Sequence, residues 1–157
     1  PVYLRLTGSM NNPIVYKEDF DFEIGKAIEL RQVDDVAIIA TGSMVHCALK
    51  AAEHLEAMGI SASVLDMHTI KPLDITAVEA ACKRKLLVTV EEHSIIGGLG
   101  SAVAEKLALK TIHPPHLIIG APDVYPHAGD YVSLLDSCGL TPDKVAGKIL
   151  ETYKELF

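Results

Sequence analysis

Acidic and imidazole side chains lie directly upstream of a group of glycines in the stretch LLVTVEEHSIIGGLGSAVAEKL. The residues are Glu91, Glu92 and His93, followed by Gly97, Gly98 and Gly100. Carboxylates and imidazoles serve as general acids and bases and as metal ligands. Glycines at the start of a helix allow a phosphate to contact the backbone N–H groups. Acid–base chemistry, metal binding and anion binding are therefore the candidates at this position.

The glycines match a nucleotide-binding fingerprint only in part. A dinucleotide site uses three glycines, for the tight turn, the close approach of the pyrophosphate and the helix packing. When Gly98 and Gly100 take the first two positions, Val103 stands at the third, and the loop from His93 to Gly97 is longer than a tight turn. Two interpretations remain: the glycines let a long loop enter a helix packed close to the sheet, or the helix N-terminus holds an anion.

The acidic pair and its histidine also allow two interpretations. Successive side chains of a strand point to opposite faces, so at most two of the three converge. Asp66 and His68 follow a neighbouring apolar run and are the candidates to approach them in space. The group is either a catalytic or ligand contact, or a polar rim at a strand end or subunit contact.

Three further residues are candidates on their type and position. Arg5 ends the apolar stretch PVYLRL just before a polar loop, where it makes either a surface ion pair or a contact to a substrate anion. His127 lies in the irregular loop 122–129, as a loop histidine or a contact at the same sheet edge. Ser43 follows a glycine and is predicted to cap a helix, since no GxSxG nucleophile motif is present.

Apolar runs alternate with amphipathic segments along the chain, as in βαβ units. Parallel strands are predicted at Val36–Ala40, Ser63–Met67, Leu86–Glu91 and His116–Gly120. The fold class is therefore α/β, a three-layer sandwich with a mostly parallel sheet and one antiparallel edge strand. The carboxyl ends of such strands form the edge where ligands usually bind.

The first 40 residues are predicted to contain three strands. Val2–Leu6 is β-rich and indicates a short strand, and Thr7–Asp21 is a polar surface loop. Ile24–Leu30 and Val36–Ala40 are predicted to pair as an antiparallel hairpin. Because the chain begins at Pro1 inside a predicted strand, we expect it to be a piece of a longer protein.

Composition excludes several classes of function. Hydrophobic residues are 49% and charged residues 22% of the 157-residue chain, a balance typical of one globular domain. The net charge of −7 and the absence of basic runs argue against nucleic acid as a partner. No apolar stretch is long enough to cross a membrane. Three scattered cysteines without CxxC spacing indicate reduced thiols and a cytoplasmic location.

Taken together, six segments resemble the C-terminal domain of transketolase-like thiamine diphosphate enzymes. They are PVYLR at the start, VAIIATGS (36–43), ALKAAEHLEAMGI (48–60), VLDMHTIKPLD (64–74), VTVEEHSIIGGLGSAVAE (88–105) and Gly139-Leu140 before the last helix. The resemblance spans nearly the whole chain in order. PVYLRL and AAEHLEAMGI are most similar to the two-subunit microbial transketolases.

The resemblance implies a five-stranded sheet and a dimeric parent that transfers a two-carbon ketol unit between sugar phosphates of pentose phosphate metabolism. It implies an entry strand and linker at 1–22 and the C-terminal domain at 23–157. Thiamine diphosphate and magnesium belong to other domains of the complete enzyme, because Gly129-Asp130 is followed by Tyr131 and the family's Gly-Asp-Gly motif is absent. This chain is therefore expected to hold no cofactor or metal and no catalytic residue.

Partners and alternatives follow from the same resemblance. The expected partners are the preceding cofactor-binding domains or subunit and a second copy, with Arg5 near substrate phosphate and the Glu91–Gly100 loop at an interface or active-site border. The alternatives are a deoxyxylulose phosphate synthase, a 2-oxoacid dehydrogenase β chain, and a non-catalytic anion-binding or dimerisation module.

Overall fold

A computed structural model describes residues 1–6 and 12–157, which form five strands and five helices. The strands are β1 (Ile28–Arg31), β2 (Val36–Ala40), β3 (Ala62–Asp66), β4 (Leu86–Ser94) and β5 (His116–Ala121). The helices are α1 (Met44–Ala57), α2 (Ile75–Ala81), α3 (Leu99–Leu107), α4 (Tyr131–Ser137) and α5 (Pro142–Leu156).

The five strands form one sheet in the order β1-β3-β2-β4-β5. Strands β3, β2, β4 and β5 run parallel, and only β1 is antiparallel, against β3. The predicted fold class is therefore confirmed, including the single antiparallel edge strand. All four predicted parallel strands are present; Val36–Ala40 has the predicted ends, and the ends of the other three differ from the prediction by at most three residues.

Strand β2 lies at the centre because both of its faces are covered. Its five residues are all fully buried, as expected for a strand without a polar position. Val36, Ile38 and Ala40 pack in a core with α1 and α5. Ala37 and Ile39 pack in a second core with α2 and α3. The period of two in a strand thus produces the three layers, with α1, α4 and α5 on one face and α2 and α3 on the other.

The antiparallel hairpin predicted between β1 and β2 is wrong. Strand β3 lies between them, so Ile28 pairs with Asp66, and Val36 pairs with Ala62. Strands that are close in sequence often form a hairpin. Here β3 pairs with β2 in parallel along the whole length of β2, and β1 pairs with the outer edge of β3.

The short strand predicted at Val2–Leu6 is also wrong for this chain. These residues have no strand pairing, and the apolar side chains of Val2, Tyr3, Leu4 and Leu6 are 73–86% exposed. A strand requires a neighbour for its backbone hydrogen bonds, and no described residue provides one. The predicted surface loop holds for residues 12–21, which form no helix or strand, whereas residues 7–11 lie outside the described residues.

Local signals placed most helix ends correctly. The carboxylate of Asp74 accepts a hydrogen bond from Ala77 N at 3.0 Å, as an N-cap does, and a second from Ala27 N at 2.9 Å. Helix α2 ends at Ala81, three residues before the predicted end near Arg84. Gly59 follows α1 with a φ of +83°, the left-handed conformation that glycine adopts at little cost. No helix among residues 1–6 and 12–157 has the length and apolar character that a bilayer crossing requires.

His116 is a partly buried titratable group at the start of β5. Its Nε2 lies 3.0 Å from the hydroxyl oxygen of Thr89, which is fully buried on β4. Burial, followed by repulsion from His113, lowers the pKa of His116 from 6.5 to about 4. Between these two pKa values, His116 is therefore neutral in the folded state and protonated in the unfolded state.

The pKa of His116 predicts a loss of stability in acid. Between pH 6.5 and about 4 the unfolded chain binds a proton that the folded chain does not, so stability falls as the pH falls. The contribution of this group is at most about 3 kcal/mol. Urea unfolding between these pH values should show a weaker pH dependence in His116→Gln than in the parent. His127→Gln, at an exposed loop histidine, is the matched control and should leave the dependence unchanged; equal slopes in all three proteins would contradict the prediction.

Candidate functional site

The carboxyl ends of the parallel strands bring most of the candidate residues to one edge of the sheet. Ser43 follows β2, Asp66 ends β3, and Glu91 to His93 occupy the last part of β4. Strand β4 continues to Ser94, three residues beyond the predicted end, and Ser94 pairs with Ala121 after a register shift. The acidic pair therefore lies within the strand, where side chains alternate between the two faces.

Glu91 is buried, and its carboxylate binds the N-terminus of α3. One oxygen accepts from the backbone N–H of Leu99 and the other from that of Gly100, both at 2.8 Å. Only 2% of Glu91 is exposed. The first N–H groups of a helix have no partner within the helix and form the positive end of its dipole, so a carboxylate satisfies and stabilises them. Glu91 is thus a helix cap supplied by a neighbouring strand.

The glycines make room for this contact. A Cβ on Gly98 would lie 1.9 Å from a Glu91 carboxylate oxygen, and a Cβ on Gly100 would lie 2.4 Å from Cγ2 of Ile118 on β5. Gly97 has a φ of +78°, which directs the loop into the helix. These distances favour the interpretation in which the glycines let a long loop enter a helix packed directly on the sheet.

The backbone N–H groups that an anion would use at this helix N-terminus already have hydrogen-bond partners. Leu99 N and Gly100 N are bonded to Glu91, and Gly97 N donates to the Ser101 hydroxyl at 2.8 Å. A phosphate at this helix N-terminus would have to displace a buried carboxylate. These three positions therefore offer no free donor to an anion, which disfavours the anion-binding interpretation of the glycine loop.

Glu92 points to the opposite face and joins three elements. Its carboxylate accepts a hydrogen bond from the Ser43 hydroxyl, at the start of α1. It accepts a second from the Tyr131 hydroxyl, at the start of α4, at 2.8 Å. Burial and this second hydrogen bond raise the pKa of Tyr131. The predicted capping role of Ser43 is wrong for its side chain, because the hydroxyl bonds Glu92 and makes no side-chain cap on α1.

The two histidines of this region do not join a common cluster. His93 is exposed, and its Nδ1 lies 3.1 Å from the carbonyl oxygen of Ser94. His127 is exposed in the loop between β5 and α4. Across the described ranges 1–6 and 12–157, no three His, Cys, Asp or Glu side chains are placed to hold a metal ion.

Arg5 and Asp66 lie apart from the Glu91–His93 group in their interactions. Arg5 is exposed and forms no ion pair with the residues described here. Asp66 accepts a hydrogen bond from the Tyr16 hydroxyl at 2.7 Å. No hydrogen bond within the described part of the chain joins Asp66 or His68 to Glu91, Glu92 or His93. The approach of these two groups that the sequence suggested is therefore limited to a shared sheet edge.

A cavity of about 250 Å³ is lined in part by Ser43 and Tyr131, the two residues whose hydroxyls bind Glu92. It is lined mainly by apolar side chains from segment 12–15 and from the starts of α1, α4 and α5. Cys47 is one of them, and burial raises the pKa of its thiol to about 11, so it stays protonated at neutral pH. Neither Tyr131 nor Tyr16 was identified from the sequence, because each contacts a carboxylate 39 or 50 residues away.

The parallel sheet, its helix pairs and the capped glycine loop define an α/β domain of known type. Residues 25–145 match the family described as transketolase, C-terminal domain. The chain therefore belongs to the transketolase C-terminal domain family.

Individual relatives agree with this assignment. An apulose-4-phosphate transketolase subunit of Phocaeicola vulgatus is 40% identical over 157 residues, which is 99% of this chain and 49% of the relative. A split-gene transketolase, solved as an inactive beta4 tetramer, superimposes with a TM-score of 0.85 at 38% identity, over 92% of this chain and 48% of that one. The 1-deoxy-D-xylulose-5-phosphate synthase of Thiobacillus denitrificans is 47% identical over 135 residues, 85% of this chain and 21% of the synthase. The chain thus spans about half the length of the two transketolase chains and 21% of the synthase.

The Glu91 cap predicts a specific loss of stability. In Glu91→Gln, one oxygen still accepts from an N–H, but the amide NH₂ faces the other N–H and the negative charge at the dipole is lost. We expect the free energy of unfolding to fall by about 1–3 kcal/mol, measured by urea denaturation.

Glu105→Gln is the matched control on the exposed side of the same helix. It should change the free energy of unfolding by no more than about 0.5 kcal/mol. Equal stabilities of the two variants would show that Glu91 is not a cap that stabilises α3.

Proposed function

We propose that this chain is the C-terminal domain of a thiamine diphosphate-dependent transketolase. In the complete enzyme a two-carbon ketol unit moves between sugar phosphates, and this domain supports the assembly and borders the active site. The observation that carries the proposal is the 40% identity over 157 residues to a transketolase subunit. The family match over residues 25–145 supports the same conclusion and a domain boundary near residue 22.

The residues described at the strand edge do not fit the cofactor or its metal. Magnesium takes oxygen ligands, and a diphosphate takes N–H donors. At the strand edge the Glu91 carboxylate is already bonded to two N–H groups, and the Glu92 carboxylate to two hydroxyls. The role we assign to this chain is therefore to pack against the part of the enzyme that holds the cofactor, and we assign it no catalytic group.

Association with other parts of the enzyme is supported by exposed apolar side chains. At the strand edge, Ile96, Val124 and Tyr125 are at least 61% exposed. These three side chains lie in the loops that follow β4 and β5, and contiguous exposed apolar surface is typical of a face that is covered in an assembly. We propose that the covering surfaces come from the cofactor-binding domains or subunit and from a second copy in a homodimer. The unpaired cysteines support a cytoplasmic location for that assembly.

A deoxyxylulose phosphate synthase is the second candidate, because one such enzyme is 47% identical over 135 residues. The transketolase interpretation is preferred since the match to the transketolase subunit covers 99% of this chain, against 85% for the synthase. Analysis of products from the complete enzyme separates the two, because a synthase forms deoxyxylulose phosphate and a transketolase forms a new pair of sugar phosphates.

The proposal predicts a clear difference between this chain alone and the complete enzyme. The 157-residue chain should neither transfer a ketol unit nor give a saturable calorimetric signal with thiamine diphosphate and magnesium. Joined to the cofactor-binding part, it should transfer a ketol unit between sugar phosphates. Ketol transfer by the chain alone would overturn the assigned division of labour, and a complete enzyme without transfer would overturn the proposed activity.

Arg5 is proposed to contact the phosphate of the sugar substrate. In the complete enzyme, Arg5→Ala should raise the KM for phosphorylated sugars, because a charge-assisted hydrogen bond worth about 1.5–3 kcal/mol is lost. Arg5→Lys should recover part of the loss, since a guanidinium binds phosphate at two points and an ammonium does not. Lys148→Ala, an exposed cation on α5, is the control and should leave KM unchanged. Unchanged kinetics in both Arg5 variants would overturn the proposed phosphate contact.

A further inference from the structure

Residues 12–22, here called the strap, cross the carboxyl edge of the sheet without forming a helix or strand. Val15 packs against the core formed with α1 and α5. The Tyr16 hydroxyl donates to Asp66 at 2.7 Å, and the Phe22 ring lies 4.5 Å from the His68 ring. Tyr16 and Phe20 stack on each other with ring centroids 3.8 Å apart. The strap is therefore attached to the end of β3 by two aromatic residues.

The attachment at Asp66 is a buried one. Asp66 is 7% exposed, and its second oxygen has no hydrogen bond partner among the described residues. Tyr16 thus provides the one hydrogen bond to this carboxyl group in the described part of the chain. Burial raises the pKa of Asp66, and burial together with the Asp66 contact raises the pKa of Tyr16. A buried carboxyl that loses its only donor is expensive, so the contact resists opening.

The fold explains why Asp66 is available. It is the last residue of β3, the strand between β1 and β2, and its backbone pairs with Ile28 on one side and Ala40 on the other. The side chain therefore stands on a strand that is paired on both sides. A strap bonded there cannot shift without breaking this contact, whereas the exposed residues Lys17 to Asp19 next to it have no such anchor.

We propose that Tyr16 and Asp66 form a clasp that holds the strap on the domain and thereby sets the position of the enzyme part that the strap joins to it. We assign Tyr16 and Asp66 a positioning role, which acts through the strap. The positioning role rests on the proposed function, in which the catalytic machinery lies in that other part. The clasp itself rests only on the contacts within this chain.

Limited proteolysis of the full chain by trypsin tests the clasp, because cleavage after Lys17 requires the strap to leave the domain and enter the protease. Tyr16→Phe removes the phenol oxygen and keeps the ring that stacks on Phe20. Cleavage after Lys17 should then be about 10-fold faster, the factor expected when about 1.4 kcal/mol of contact is lost. Cleavage after Lys106, on α3, should be unchanged. Tyr125→Phe is the matched control, because Tyr125 is fully exposed in the loop 122–129. Equal rates of cleavage after Lys17 in the two variants would overturn the clasp.

A second measurement tests the clasp in case the Tyr16→Phe variant also unfolds outside the strap. Asp66→Asn keeps an oxygen that accepts from Tyr16 but removes the negative charge that opposes ionisation of the phenol. Ultraviolet titration of the five tyrosines should show the latest one to ionise moving to lower pH in this variant. An unchanged titration curve would show that Tyr16 does not bond Asp66 in solution.

Kinetics of the complete enzyme test the positioning role. Tyr16→Phe should lower kcat for ketol transfer by about 10-fold with KM nearly unchanged, because small misplacements of reacting groups cost rate. Faster cleavage of the strap with an unchanged kcat would support the clasp and overturn its role in positioning. If the parent enzyme does not transfer a ketol unit, the proposed function fails, while the proteolysis experiment still decides the clasp.

Discussion

The contact between Glu91 and the N-terminus of α3 is the interaction on which the strand edge depends. A buried carboxylate needs partners, and two helix N–H groups at 2.8 Å provide them. To bring these atoms together the loop must pass within van der Waals distance of the side chain, which leaves no room for a Cβ on Gly98. Gly120 on β5 is restricted mainly by the backbone of β4, since a Cβ there would lie 2.8 Å from the carbonyl oxygen of His93 and 3.2 Å from Cγ of Glu91. The buried acid therefore explains the glycine at position 98, and the close approach of β4 explains the one at position 120.

The neighbouring acid does something different because a strand alternates its side chains. Glu91 points into the helix packed on the sheet, and Glu92 points to the start of α1 and α4. Two identical residues in one motif thus stabilise two different regions of the domain. Both carboxylates are used for internal contacts, which explains how a motif with the composition of an acid–base site holds a fold together.

More of the fold than of the candidate site could be predicted from the sequence. Val36–Ala40 and Leu86–Val90 were recognisable as central strands because they carry no polar residue apart from Thr89, and burial on both faces demands that pattern. The partner of β1 could not be predicted, because pairing with β3 is decided by the packing of the whole sheet rather than by the turn that follows β1. The cap by Glu91 has a local signal, since an acid stands eight residues before the helix start, but this spacing alone does not reveal that the carboxylate bonds the helix N–H groups. The contacts of Tyr16 and Tyr131 span 50 and 39 residues and have no local signal.

The strap has a consequence for how such domains are combined in genes. Relatives include this domain as 49% of one protein and as 21% of another, so the same unit is joined to bodies of very different size. The hydrogen bond between Tyr16 and Asp66 lies wholly within the unit, and the antiparallel strand β1 follows the strap as part of the same sheet. A recombination point upstream of the strap leaves the interior of this unit uncut. Fusion and fission of genes in this family can therefore exchange the unit as a preassembled module.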